Sequence, residues 1–128
     1  MARLTGHATV LLVEDVGRAT DYYRDRLGFD VEHYERVPEH YGYASRDGCH
    51  VHFARLEGAS PRPNREVVPP DMFDAYFWVD DVDGLYAELV ERGAELHAPP
   101  ALQGYGMDDF RVGDPHGYVL AFGRAADD

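Results

Sequence analysis

Residues 13–29 read VEDVGRATDYYRDRLGF and residues 79–96 read VDDVDGLYAELVERGAEL. These two stretches decide the fold, because they say the same thing twice. Each opens on a Val-acid-Asp-Val strand end, runs through an amphipathic helix and closes near a glycine. The echo continues downstream: RDGCHVHFA (46–54) and GDPHGYVLAFG (113–123) are both glycine-started apolar strands. A repeat spanning about half the chain implies two similar supersecondary units, each needing the other to bury its apolar face.

Local signals give each unit the same plan. HATVLLV (7–13) is an apolar run of strand length. Asp15 is placed to cap a helix whose Ala19, Tyr22, Tyr23 and Leu27 recur at helical spacing, with Gly28 at its left-handed end. DVEHYERV (30–37), YGYASR (41–46) and CHVHFARL (49–56) are read as strands, the last two joined by the Asp47-Gly48 turn. In the second unit DAYFWV (74–79) is a strand. Asp81 or Asp83 caps a helix carrying Val82, Leu85, Tyr86, Leu89 and Val90, which ends at Gly93. A short strand at 95–97, a proline-containing loop and a hairpin formed by MDDFRVG and GYVLAFG follow. The expected organisation is one domain over residues 1–128: module 1 at 1–57, a Pro-rich linker at 58–72 and module 2 at 73–125. The class is α+β: two tandem βαβββ modules in a curved, half-open barrel with a central cleft and helices on its outer face.

The formal net charge is −12 and all basic residues are arginine. Such a surface repels nucleic acid and anionic membranes, and the absence of lysine removes Schiff-base chemistry through that residue. No apolar run reaches the length of a membrane span. The single Cys49 forms no internal disulfide and fits a cytoplasmic location. No G-x-S-x-G, phosphate-binding glycine loop or CxxC motif is present.

The motifs Val13-Glu14-Asp15-Val16, Tyr22-Tyr23, Arg26-Leu27-Gly28-Phe29, Val79-Asp80-Asp81-Val82 and FRVGDPHGYVLAFG resemble, in order and spacing, the vicinal oxygen chelate superfamily. That group includes glyoxalase I, extradiol dioxygenases and bleomycin-resistance proteins, and the bleomycin-resistance-like members are nearest. The resemblance implies a homodimer. It also implies a divalent metal held by four positions, which in this chain read Ala8, His52, Asp74 and Ala121. Alanine offers no lone pair, so the resemblance implies a site without the family metal. The alternative is one divalent metal on a shifted set, His7, His52 and Asp74, reached by a bulge in the first strand.

Strand alternation selects the cleft lining. His50 and His52 share one face; so do Asp74, Tyr76 and Trp78; so do Met107, Asp109 and Arg111. Tyr41, Tyr43 and Tyr105 are candidates for the cleft rim or a dimer contact. Asp109 and Arg111, as same-face neighbours, are candidates to pair with each other. Aromatic faces with nearby carboxylates suit a planar or cationic small molecule. The leading expectation is therefore a binder that sequesters an antibiotic-like ligand, with no catalytic residue. A lyase, isomerase or dioxygenase using the alternative metal set, or His52 as a general base, is the runner-up; a chemistry-free sensor or structural dimer is third.

Overall fold

The computed structural model describes residues 1–59 and 62–126. The chain runs β1 (Thr9–Val13), α1 (Val16–Leu27), β2 (Asp30–His33), β3 (Tyr41–Arg46), β4 (Cys49–Arg55), β5 (Ala75–Trp78), α2 (Val82–Arg92), β6 (Glu95–Leu102), β7 (Met107–Gly113) and β8 (Val119–Ala125). Each module forms its own sheet, ordered β1-β4-β3-β2 and β5-β8-β7-β6. The outer pair β1–β4 and its counterpart β5–β8 are parallel; the other pairs are antiparallel. The α+β class and the repeated βαβββ plan follow the sequence, whereas the two sheets do not close into a barrel.

Both helices start and stop where side-chain chemistry requires. The Asp15 carboxylate accepts the Arg18 N–H at 3.0 Å, and Asp81, not Asp83, accepts the Gly84 N–H at 2.9 Å. Gly28 (φ 76°) and Gly93 (φ 78°) end the helices in the left-handed region that a side chain would strain. Two arginines then cap the helix ends, and each also reaches into the other module. Arg26 of α1 donates to the Arg92 carbonyl at 3.1 Å. Arg46 donates to the Leu27 carbonyl at 2.8 Å and forks onto Glu88 of α2 at 2.7 and 2.9 Å.

The helix-covered faces of the two sheets meet in one core. A relay of aromatic rings crosses it: Phe53 to Tyr23 (4.8 Å between centroids), Tyr23 to Phe29 (5.7 Å), Phe29 to Phe77 (6.2 Å), Phe77 to Phe122 (5.0 Å) and Phe122 to Phe110 (5.5 Å). Tyr23 is fully buried and donates its hydroxyl to Asp114 of the second module at 3.0 Å. The Tyr22 hydroxyl donates to the Gly113 carbonyl and accepts the Glu95 N–H. The Tyr22-Tyr23 and Asp114-Pro115-His116-Gly117 motifs thus join the modules. Since the covered faces meet, the open faces of the sheets turn away from the shared core.

Three segments differ from expectation. The first strand begins at Thr9, leaving His7 exposed ahead of it, and the third element of module 1 stops at His33 instead of continuing to residue 37. The strand expected at 95–97 extends to Leu102, through Pro99 and Pro100. It can do so because β6 is an edge strand: prolines without N–H groups are tolerated there, and the pairing with β7 shifts register twice. The linker contains a 3-10 turn at Asn64–Glu66, and its residues 60 and 61 lie outside the described residues. Among the described residues no helix is long and apolar enough to cross a membrane.

Burial pushes the Asp114 carboxyl up to about 6, despite N–H donors from His116 and Tyr118. A folded-state value raised above the unfolded one means that folding takes up a proton. The stabilisation from this group is complete below about pH 4 and is lost as pH rises through 6. Asp114→Asn keeps a hydrogen-bonding group at both oxygen positions. Between about pH 4 and 7 the unfolding free energy of the wild type should fall by about 2 kcal/mol relative to this variant. Parallel urea-denaturation profiles for the two proteins over that range would refute the assignment.

Candidate functional site

The candidate residues fall on the two open faces. On the second sheet, cross-strand pairing sets Tyr76 beside Ala121 and Arg111, and Trp78 beside Gly123 and Asp109. The central strand β8 therefore contributes only small side chains, between aromatic residues on β5 and charged residues on β7. A Cβ at Gly123 would collide with the Tyr76 hydroxyl and crowd the Asp109 Cβ. Glycine there lets Tyr76 lean across the strand and donate to Asp109 at 3.0 Å.

Asp109 is fully buried although it lies on the open face. Its Oδ2 accepts from both Tyr76 and Tyr105, the latter through a short hydrogen bond. Arg111 donates to the same Tyr105 hydroxyl at 3.2 Å, so Asp109 and Arg111 are bridged by tyrosine and not directly paired. The Arg111 guanidinium lies 5.5 Å from the Phe73 ring centre, and Phe73 stands edge-on to Tyr76 at 5.1 Å. Trp78, 6.2 Å from Tyr76, is 77% exposed. Met107 lies half-buried at the start of β7, on the face shared by Asp109 and Arg111. Desolvation, and then the bond to Asp109, push both the Tyr76 and Tyr105 phenols up from their ordinary value, so both remain donors at neutral pH.

On the first sheet His52 accepts or donates through Nδ1 to the Tyr41 hydroxyl at 3.1 Å and stands edge-on to Tyr43 at 5.0 Å. Desolvation, followed by the neighbouring His50, lowers the His52 pKa and favours the neutral imidazole. His50 is exposed beside Ser45. Val10 and Leu12 of β1, about half exposed, flank this face.

The structure separates these sets. Among the described residues no hydrogen bond, ion pair or ring contact joins His50 or His52 to Tyr76, Trp78, Met107, Asp109 or Arg111. Asp74 serves the backbone: its two oxygens accept the N–H groups of Asn64 (2.8 Å) and Val119 (2.9 Å), tying the linker to β8. Ala8 and Ala121 offer no donor atom, and His7 is exposed outside β1. No group of three or more His, Cys, Asp or Glu among the described residues is arranged to hold a metal. Among the described residues of one chain, the donors His7, His52 and Asp74 are therefore not brought together to fit the divalent ion that the fold implies.

Phe73 escapes a reading of strand alternation because it lies outside the strands, whereas Tyr105, a rim candidate in the sequence, stands in the turn before β7 and reaches Asp109. Tyr41 and Tyr43 do follow a two-residue period, with Gly42 and Ala44 turned inward, so their shared face was available from YGYASR.

Two βαβββ modules, each with one covered and one open sheet face, define a paired-module α+β protein. The chain belongs to the Glyoxalase/Bleomycin resistance protein/Dioxygenase superfamily, whose family model matches residues 5–122. Its fold is similar to that of the bleomycin-binding protein of Streptomyces verticillus, solved with copper(II)-bleomycin: TM-score 0.73, 22% identity, 99% of this chain and 100% of the other. TioX from Micromonospora sp. ML1 matches with TM-score 0.71 and 20% identity, over 95% and 99% of the two chains. The bleomycin resistance determinant encoded on transposon Tn5 matches with TM-score 0.72 and 19% identity, over 97% and 100%. No curated sequence relative matches the chain.

The close approach at Gly123 generates a specific expectation. Gly123→Ala should lower the unfolding free energy by roughly 1–3 kcal/mol, as overpacked sites do, and the loss should shrink when Tyr76→Phe removes the hydroxyl that the new methyl meets. Equal losses in both backgrounds, by chemical denaturation, would mean that Tyr76 does not cross the strand at this point.

Proposed function

We propose that this protein binds and sequesters a planar, cationic small molecule without chemically altering it. The observation that carries the reading is Trp78: a large aromatic side chain left 77% exposed, beside Tyr76, on the open face of a sheet. Exposed aromatic rings of this kind supply stacking area for flat ligands. The net charge of −12 favours encounter with a cation. The bleomycin complex of the S. verticillus protein supports the same reading by likeness of fold.

The two half-sites of one chain point away from their shared core, so an enclosed cleft requires a second copy. In the proposed homodimer the Tyr76–Trp78 face of one subunit stands opposite the His52–Tyr41–Tyr43 face of its partner. Two-fold symmetry makes two such clefts.

Titration with a panel of cationic, planar antibiotics, bleomycin among them, should quench the fluorescence of Trp78, the only tryptophan. Binding should weaken as salt is raised. Size-exclusion chromatography with light scattering should give twice the 14.4 kDa chain mass. A panel that leaves Trp78 unperturbed would remove the basis for the proposal. Stoichiometric zinc, iron, manganese or nickel in protein purified without chelator, lost in His52→Ala, would establish the metal-dependent alternative instead.

A further inference from the structure

The floor of the second sheet holds an unfinished polar network. Asp109 is fully buried, yet its Oδ1 has no hydrogen-bond partner among the described residues; the buried Nε of Arg111 has none either. A buried acceptor and a buried donor left unmade are costly to the fold and call for an explanation. Tyr105 bridges this pair: its hydroxyl donates to Asp109 Oδ2, which Tyr76 also reaches, and accepts from an Arg111 Nη. Tyr105 is itself 53% exposed and sits between Gly104 and Gly106. Gly106 has φ 86°, and a Cβ at either glycine would meet nothing within 4 Å. The turn itself is closed by hydrogen bonds from the Gly106 N–H to the Gln103 carbonyl and from the Gln103 N–H to the Met107 carbonyl, so it is the half-exposed Tyr105 side chain, rotating about χ1, that can swing aside.

We infer that the Tyr105 hydroxyl is a stand-in for the ligand, and that this site takes an aromatic compound carrying a primary carboxamide. The inference rests on the small-molecule reading above and names the group recognised. With Tyr105 withdrawn, the carboxamide N–H donates to Asp109 and its carbonyl accepts from Arg111, while its ring lies along Tyr76 and Trp78. Asp109 and Arg111 together are neutral. A purely cationic group would meet the Arg111 guanidinium, and a purely anionic one the Asp109 carboxylate; a neutral group that donates and accepts meets neither penalty. The carboxamide also has two N–H donors, against the single donor of a phenol, for a carboxylate with one oxygen already unpartnered. Positive charge elsewhere on the ligand is left to the acidic surface.

Three naphthalenes of one shape test this: 2-naphthamide, 2-naphthoate and 2-naphthamidine. Binding is read from the single Trp78 indole N–H signal in heteronuclear NMR. 2-Naphthamide should bind about tenfold tighter than either charged analogue. Tyr105→Phe, which removes the competing hydroxyl, should tighten 2-naphthamide binding about three- to tenfold, the worth of one ordinary hydrogen bond. Asp109→Asn should weaken it about tenfold. Equal affinity for the three compounds, no binding of 2-naphthamide, or unchanged or weaker binding in Tyr105→Phe would each overturn the inference. If 2-naphthamide fails while a panel antibiotic still quenches Trp78, only this inference falls; if neither binds, the function proposed above falls with it.

Discussion

The hydrogen bond from the Tyr23 hydroxyl to Asp114 marks the constraint on which the rest of this structure depends: the two modules join through their helix-covered faces. Both partners are buried, and each belongs to a different copy of the repeat. Around them the aromatic relay from Phe53 to Phe110 makes one continuous apolar core out of two sheets too small to bury a core alone. The arginines at the helix ends reinforce the join in a reciprocal way. Arg26 and Arg46 bring cationic donors to the C-terminal carbonyls of the two helices, where the helix dipole favours positive charge. Arg46 is only part-exposed and forks onto Glu88, which makes it a stronger link than an ordinary surface ion pair.

Joining the covered faces has a direct consequence for function. Each sheet keeps an uncovered face, and the two uncovered faces cannot look at one another within one chain. Residues that the repeat relates, such as His52 on β4 and Ala121 on β8, are placed on separate surfaces. In the homodimer proposed above, the two half-sites would be brought together by association between chains, and a ligand bridging them would favour the dimer.

The second sheet shows where stability has been given up. Burying the Asp109 carboxylate with one oxygen unpartnered is unfavourable compared with an apolar side chain of similar size. Two phenols, both held protonated, and the nearby Arg111 reduce that penalty without removing it. A group of this kind is retained at a functional surface more readily than in a core, where packing alone is selected. By contrast Asp74, which looked equally chemical in the linear chain, is fully used in holding the backbone.

Much was legible in the sequence because it depends on near neighbours. The repeat, both helix caps, the Asp47-Gly48 turn and the alternation of inward and outward side chains rest on local geometry, and the core residues Val51, Phe53, Leu120 and Phe122 follow from it. What the sequence could not determine involves residues far apart in the chain. Pro99 and Pro100 continue a strand only because β6 has an unpaired side, a fact of sheet order. Phe73 reaches the site from a loop, whose side-chain directions obey no period, and the bond of the rim candidate Tyr105 to Asp109 likewise depends on the turn that carries it. The fate of Asp74 depended on two N–H groups supplied by Asn64 and Val119. Which faces of the two sheets meet was likewise a tertiary decision: the repeat requires each module to bury one face, and only the packing of Tyr23 against Asp114 and Phe29 against Phe77 selects the helix-bearing one.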